Sequence, residues 1–79
     1  MLVVRYFAGA RAAAGRSEEK VPADTLEELA RTLVATHGEP LARVFTVASF
    51  LVDGVTWHDR HARLPEGATV DVLPPFAGG

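Results

Sequence analysis

The sequence predicts an α+β roll in which one amphipathic helix crosses one sheet. Three observations carry that prediction. The chain opens on a β-branched, alternating segment, a single apolar stripe at helical spacing follows residue 24, and two further strand-forming regions come after it. With 79 residues, 48% of them hydrophobic, there is material for one domain and not for two. Cys is absent, so the core must hold without disulfides, and thiolate metal sites, iron–sulfur clusters and cysteine nucleophiles are excluded.

Taken in order, residues 2–8 alternate as a strand, with Leu2, Val4 and Tyr6 on one face and Val3, Arg5 and Phe7 on the other. Gly9 ends it, residues 10–14 suit a short helical turn closed by Gly15, and residues 17–21 suit a polar edge strand that completes a hairpin before Pro22. Asp24 or Thr25 caps the main helix, with Glu27 or Glu28 completing a capping box in either register. Leu26, Leu29, Ala30, Leu33 and Val34 form the stripe that lies on the sheet, Glu27 stands four residues before Arg31, and Gly38 stops the helix. His37, close to that end, is expected to interact with it.

Glu39-Pro40 starts a second, short helix that runs through Phe45, proline being favoured in the first helical turn. Residues 47–52 read as a buried strand, Asp53-Gly54 as a tight turn, and residues 55–57 as the returning partner, with Trp57 covering an edge of the core. Residues 58–63 are polar and irregular, 64–67 are turn chemistry, and 68–73 form a last strand with Val70 and Val72 inward. Pro74-Pro75 ends that ladder, because proline has no N–H to donate.

Charge narrows the partners. Eight Lys and Arg against ten Asp and Glu leave a formal charge of −2, without the basic excess that nucleic-acid binding requires. No apolar run approaches the roughly 18 residues of a membrane span, and the apolar start meets Arg5 at once, so the expectation is a cytosolic protein. His58, Asp59 and His61 sit in a loop without a further ligand evident, and no metal site is expected there.

The most informative segment is Leu73-Pro74-Pro75-Phe76-Ala77-Gly78-Gly79. The residues after the last strand reach at most roughly 20 Å when extended, and Pro-Pro stiffens their root toward polyproline II. Gly78 and Gly79 have no Cβ, so the last backbone units fit a narrow cleft and leave the α-carboxylate as the most accessible reactive group. Two terminal glycines are also what a frayed chain end looks like. No Ser, His and carboxylate spacing elsewhere resembles a triad.

The opening Val4-Arg5-Tyr6-Phe7-Ala8-Gly9-Ala10-Arg11, the helix entry Thr25-Leu26-Glu27-Glu28-Leu29, the run from Leu64 to Val72 and above all the Pro-Pro-x-x-Gly-Gly ending resemble the ubiquitin-like sulfur carriers. The resemblance is greatest to the MoaD family, the small subunit of molybdopterin synthase, and it covers essentially the whole chain. It implies a ubiquitin-like β-grasp roll, one mixed sheet crossed by one main helix, in a single domain over residues 1–79 with 74–79 as an extended tail. It implies no tightly bound cofactor. An E1-like activating enzyme, MoeB-like, would use ATP to adenylate Gly79, and sulfur delivered by a donor enzyme would then give a thiocarboxylate. A MoaE-like large subunit, forming a heterotetrameric synthase with the carrier, would take that sulfur to build molybdopterin, the pathway product. The chain would thus be a sulfur donor more than a catalyst.

The resemblance also distributes the remaining roles. Gly79 carries the reacting carbonyl, while Gly78, Ala77, Phe76, Pro75, Pro74 and Leu73 enter the partner, with Phe76 as an apolar anchor. Phe7 and Leu73, side by side if the first and last strands are neighbours, make an exposed docking patch. Arg11 matches an arginine of the family motif, and it and Arg5 are either partner contacts or solvated side chains. Asp53-Gly54 replaces an Asn-containing turn, and Phe76-Ala77 replaces smaller or hydroxylated residues, which bears on partner fit and not on chemistry. Lys20 is the one lysine, a poor basis for polymers built on the chain itself. Carriers for thiamine or cysteine biosynthesis, and a β-grasp interaction module or protein modifier that carries no sulfur, remain the alternatives.

Overall fold

The computed structural model describes residues 1–75; Phe76, Ala77, Gly78 and Gly79, with the anchoring and sulfur-bearing roles read for them, lie outside the described residues. The chain runs β1 (Leu2–Tyr6), α1 (Gly9–Ala14), β2 (Glu18–Val21), α2 (Leu26–His37), α3 (Glu39–Val47), β3 (Ser49–Val52), β4 (Val55–Thr56) and β5 (Thr69–Leu73). The strands form one mixed sheet in the order β2-β1-β5-β3-β4, the expected α+β roll. β1 and β5 are parallel at its centre, whereas the β1–β2, β3–β4 and β3–β5 pairs are antiparallel. At the start of the central pair the Met1 amino group pairs with Glu66, and the Val3 N–H donates to the Ala68 carbonyl at 2.9 Å.

The pleat sorts the side chains as alternation predicts. Leu2, Val4 and Tyr6 of β1, Phe50 and Val52 of β3, and Val70 and Val72 of β5 are buried beneath Leu26, Leu29 and Leu33 of α2 and Leu41 and Phe45 of α3. Each such side chain contributes about 1.5–3 kcal/mol of burial. The Thr25 hydroxyl accepts from the Glu28 N–H at 3.1 Å, and the Glu28 carboxylate accepts from the Asp24 N–H at 2.7 Å, which chooses between the two capping registers. Glu27 and Arg31 pair at 3.5 Å on the outer side of the helix. Gly38, at φ 87° and ψ −164°, ends α2 and begins α3 in one residue, a conformation that suits glycine. Asp53 (φ 49°) and Gly54 (φ 84°) make the tight turn between β3 and β4.

The three helical segments are the expected ones, one main helix and two short ones, with some bounds moved. The turn after β1 is a helix of one and a half turns, and β1 ends at Tyr6 because the chain bends into it at Ala8 (φ 48°). α3 continues past Phe45 to Val47, where the Ala48 N–H still donates to the Val44 carbonyl at 2.9 Å. Val47 is therefore an exposed helical residue and not the start of a buried strand, which begins at Ser49. Leu41, Val44, Phe45 and Ala48 set the face of α3, and that packing overrides the β preference of valine. β4 stops at Thr56, yet the Trp57 N–H still reaches the Phe50 carbonyl at 2.9 Å, and Trp57 packs on the edge of the core as expected.

His37 does not serve its own helix end. Its Nε2 lies 2.6 Å from Glu19 Oε2, which also accepts from the Tyr6 hydroxyl at 2.6 Å, while Arg16 stands 3.8 Å from the other oxygen. The His37 and Tyr6 rings meet edge to face at 6.2 Å. One carboxylate thus ties β1, the edge strand β2 and the end of α2 together. Burial pushes the Glu19 carboxyl up, but the hydrogen bonds from Tyr6 and His37, helped by the charges of His37 and Arg16, outweigh it and hold the group below its usual range. Burial first, and then Glu19, pushes the Tyr6 phenol up.

Two measurements test this account. Leu29→Ala removes a side chain that is 1% exposed and should lower stability by about 2–5 kcal/mol in a denaturant titration. Because the folded Glu19 carboxyl lies below the ordinary value of 4.5, its contribution is present above that pH and is lost as pH falls through the lower folded value. Glu19→Gln should therefore lower the melting temperature near neutrality and flatten its fall below pH ~4.5; parallel acid profiles for the two proteins would contradict the assignment.

Candidate functional site

With the helices on one face, the opposite face of the sheet presents the alternate residues of each strand. The registers arrange them in three rows across the strands. One row holds Lys20, Val3 and Thr69, the middle row Glu18, Arg5, Asp71, Leu51 and Thr56, and the third Leu73 beside Ser49. Phe7 joins the third row, since its N–H donates to the Val72 carbonyl at 3.3 Å and continues the parallel ladder by one residue. Phe7 and Leu73 are thus neighbours at the end of the sheet from which Pro74 and Pro75 depart.

The two differ from the expected exposed patch in being half-buried. Each flanks the other, and the Arg5 guanidinium lies over the Phe7 ring, 5.8 Å from its centre. The Arg5 fork grips Asp71, Nε to Oδ1 at 2.6 Å and an Nη to Oδ2 at 2.8 Å. Those hydrogen bonds, then the charge of Asp71, push the already cationic guanidinium further up. Val3, Leu51 and Thr69 are also half-buried, so the middle of the face is an ion pair edged by apolar side chains.

Arg11 stands apart, exposed on α1, which packs on α3 and not on this face. The structure therefore gathers Phe7, Leu73 and Pro74-Pro75 and leaves Arg11 outside the group. It adds Leu51 and Asp71. Leu51 follows from the period of β3 once its register is known, and Asp71 was signalled by a charge between the inward Val70 and Val72. The Asp59 carboxylate accepts from the His61 and Ala62 N–H groups at 2.9 and 3.1 Å, closing its loop instead of facing the two imidazoles. Among the described residues no three His, Asp or Glu side chains gather as metal ligands, and no helix is long and apolar enough to cross a membrane.

Two concavities lie away from the tail root. A groove of about 340 Å³ runs between α2 and α3 over Ala30, Val34 and Phe45, and a smaller one of about 180 Å³ lies between Ser49, Thr56 and His58. Neither is lined by Phe7, Leu73 or Pro74. What the outer face offers chemically is a surface to dock and a strand end from which to extend a chain, with no acid–base or nucleophilic pair assembled on it.

The fold recurs in known structures. The structure of the complex of subunits 1 and 2 of molybdopterin-converting factor from Helicobacter pylori 26695 contains a chain 23% identical to this one, at a TM-score of 0.72, covering 99% of this chain and 97% of its own. The small archaeal modifier protein SAMP1 of Methanosarcina acetivorans superposes at 0.81 with 19% identity over 99% and 95% of the two chains. CysO of Mycobacterium tuberculosis superposes at 0.80 with 16% identity over 96% and 100%. These likenesses establish the ubiquitin-like β-grasp fold. No curated protein matches at the level of sequence. The profile of the ThiS family matches residues 4–79, nearly the entire sequence and including the Gly-Gly ending. The chain belongs to the ThiS family and is a ubiquitin-like sulfur carrier of the ThiS/MoaD type.

Proposed function

We propose that the chain is the sulfur-donor subunit of a molybdopterin synthase, working in the cytoplasm with Gly79 as the residue that carries sulfur. The observation that carries this reading is the position of the tail root. β5 delivers Leu73 to the end of the sheet beside Phe7, and Pro74-Pro75 there lead into Phe76-Ala77-Gly78-Gly79. A partner that covers the outer face receives the tail at the same time. Phe7, Leu73, Pro74, Pro75, Phe76, Ala77 and Gly78 are then the contacts, and Arg11, off the face, is a contact only of a partner that wraps around α1.

The chemistry follows from the poor electrophilicity of a carboxylate. An E1-like, MoeB-like enzyme lets the Gly79 carboxylate attack ATP, releasing pyrophosphate, and the acyl adenylate supplies the leaving group that a carboxylate lacks. Sulfur delivered at the level of sulfide by a donor enzyme adds to the carbonyl, AMP departs, and loss of the S–H proton leaves the thiocarboxylate. Glycine offers that attack the least obstruction. A MoaE-like large subunit supplies the acid–base groups with which the sulfur passes to the pterin precursor, and this chain acts as a tethered substrate.

The molybdopterin branch is supported by the Pro74-Pro75 ending and by the likeness to the Helicobacter pylori subunit. The likeness to the small archaeal modifier protein SAMP1 supports a second reading, a protein modifier; a carrier for thiamine or cysteine biosynthesis is the other alternative. Intact mass after incubation with ATP, a sulfur donor and the activating enzyme tests the common step. Replacement of one oxygen by sulfur is expected on the carboxy-terminal peptide, which must be mapped because oxidation of Met1 adds nearly the same mass. An unmodified Gly79 with a competent activating enzyme would overturn sulfur carriage. Deleting Gly79 should abolish sulfur transfer to the pterin precursor while leaving binding to the large subunit intact; transfer that persists would refute the role of Gly79.

A further inference from the structure

Asp71 is, among the described residues, the charged residue most withdrawn from water, its side chain 9% exposed, and it lies on the open face of the sheet and not in the core. Burial of a carboxylate is costly unless it is paired, and its pairing here is complete: both oxygens are held by the Arg5 fork. Arg5 is different. Its side chain is 48% exposed and stacked over the Phe7 ring, the grip on Asp71 uses two of its N–H groups, and among the described residues the others have no hydrogen-bond acceptor.

Any surface that covers Phe7, Leu51 and Leu73 must also cover this free edge of Arg5, since Leu51 and Arg5 flank Asp71 in the middle row. A purely apolar counter-surface would strip water from those N–H groups and return nothing, which costs more than the hydrogen bonds are worth when made. A carboxylate or phosphate is also disfavoured. Glu18 and Asp71 stand on either side of Arg5, and with Lys20 the face carries equal numbers of acids and bases. The complement that fits is a neutral acceptor.

We propose that the Arg5–Asp71 pair is the specificity element of the outer face, selecting a protein partner that is apolar opposite Phe7, Leu51 and Leu73 and offers backbone carbonyl or side-chain amide oxygens opposite Arg5. This rests on the reading that the face docks the large subunit. The pair orients that partner over the tail root, because a fork held at two points presents its remaining donors in one direction. Arg5 and Asp71 are positioning residues and take no part in sulfur chemistry.

The test is the affinity of the full chain for its large subunit by calorimetry, at low and high salt. Arg5→Leu alone leaves Asp71 buried without a partner and is expected to lower the melting temperature, whereas the double variant Arg5→Leu/Asp71→Leu replaces the pair by apolar groups and is expected to fold. The double variant should bind about tenfold or more weakly, and the wild-type affinity should change little with salt. Arg5→Lys keeps a cation beside Asp71 without the fork and should weaken binding in the same direction, which preserves the test if the double variant does not fold. Unchanged affinity in these variants would make the pair structural only, and a wild-type affinity that falls steeply with salt would overturn the neutral acceptor. Wild-type chain that fails to bind the large subunit refutes the docking reading and this inference with it; a failure confined to the variants refutes the inference alone.

Discussion

The parallel pairing of β1 with β5 is the constraint on which the rest of the molecule depends. It joins the first and last strands of the chain at the centre of the sheet, so everything between them must form a crossover, and the helices of that crossover can cover only one face. The register decides two things at once. Val4 and Tyr6 fall beside Val70 and Val72 under the helices, and Arg5 falls beside Asp71 on the other side. A slip of one residue would turn the apolar set outward and put the ion pair into the core, so the pair and the core specify the same alignment.

The two faces are stabilised by opposite means. Inside, close packing of leucine, valine and phenylalanine is reinforced at the rim by the Glu19 carboxylate, which joins the edge strand to Tyr6 and to the last residue of α2. Outside, where no helix covers the sheet, a gripped carboxylate and a stacked guanidinium keep half-buried apolar side chains from forming one continuous sticky surface. The edges are managed too. β2 carries Glu18 and Lys20 and β4 is two residues long, so neither invites another strand.

Much of this was legible in the sequence because it is local. The alternation from Leu2 to Phe7, the cap and stripe of α2, the Asp53-Gly54 turn and the Pro-Pro break each depend on a few neighbouring residues. What escaped depends on contacts distant along the chain. Arg5 meets Asp71 across 66 positions and His37 meets Glu19 across 18, and no spacing rule links either pair. Val47, β-branched and at a helix end, looks the same in sequence as a residue that opens a strand. Leu51 became visible only when β3 was placed against β5, since an apolar run of that length does not declare which residues face inward.

A parallel central pair also separates the two ends of the protein in space. β1 begins beside Ala68 and Glu66 and finishes beside Leu73, so Met1 and the root of the tail lie at opposite ends of a five-residue strand, about 16 Å apart. A label, surface linker or fused domain attached before Met1 therefore emerges on the far side of the sheet from Pro74. The molecule can be immobilised or followed by fluorescence through its amino end without crowding the strand end at Leu73.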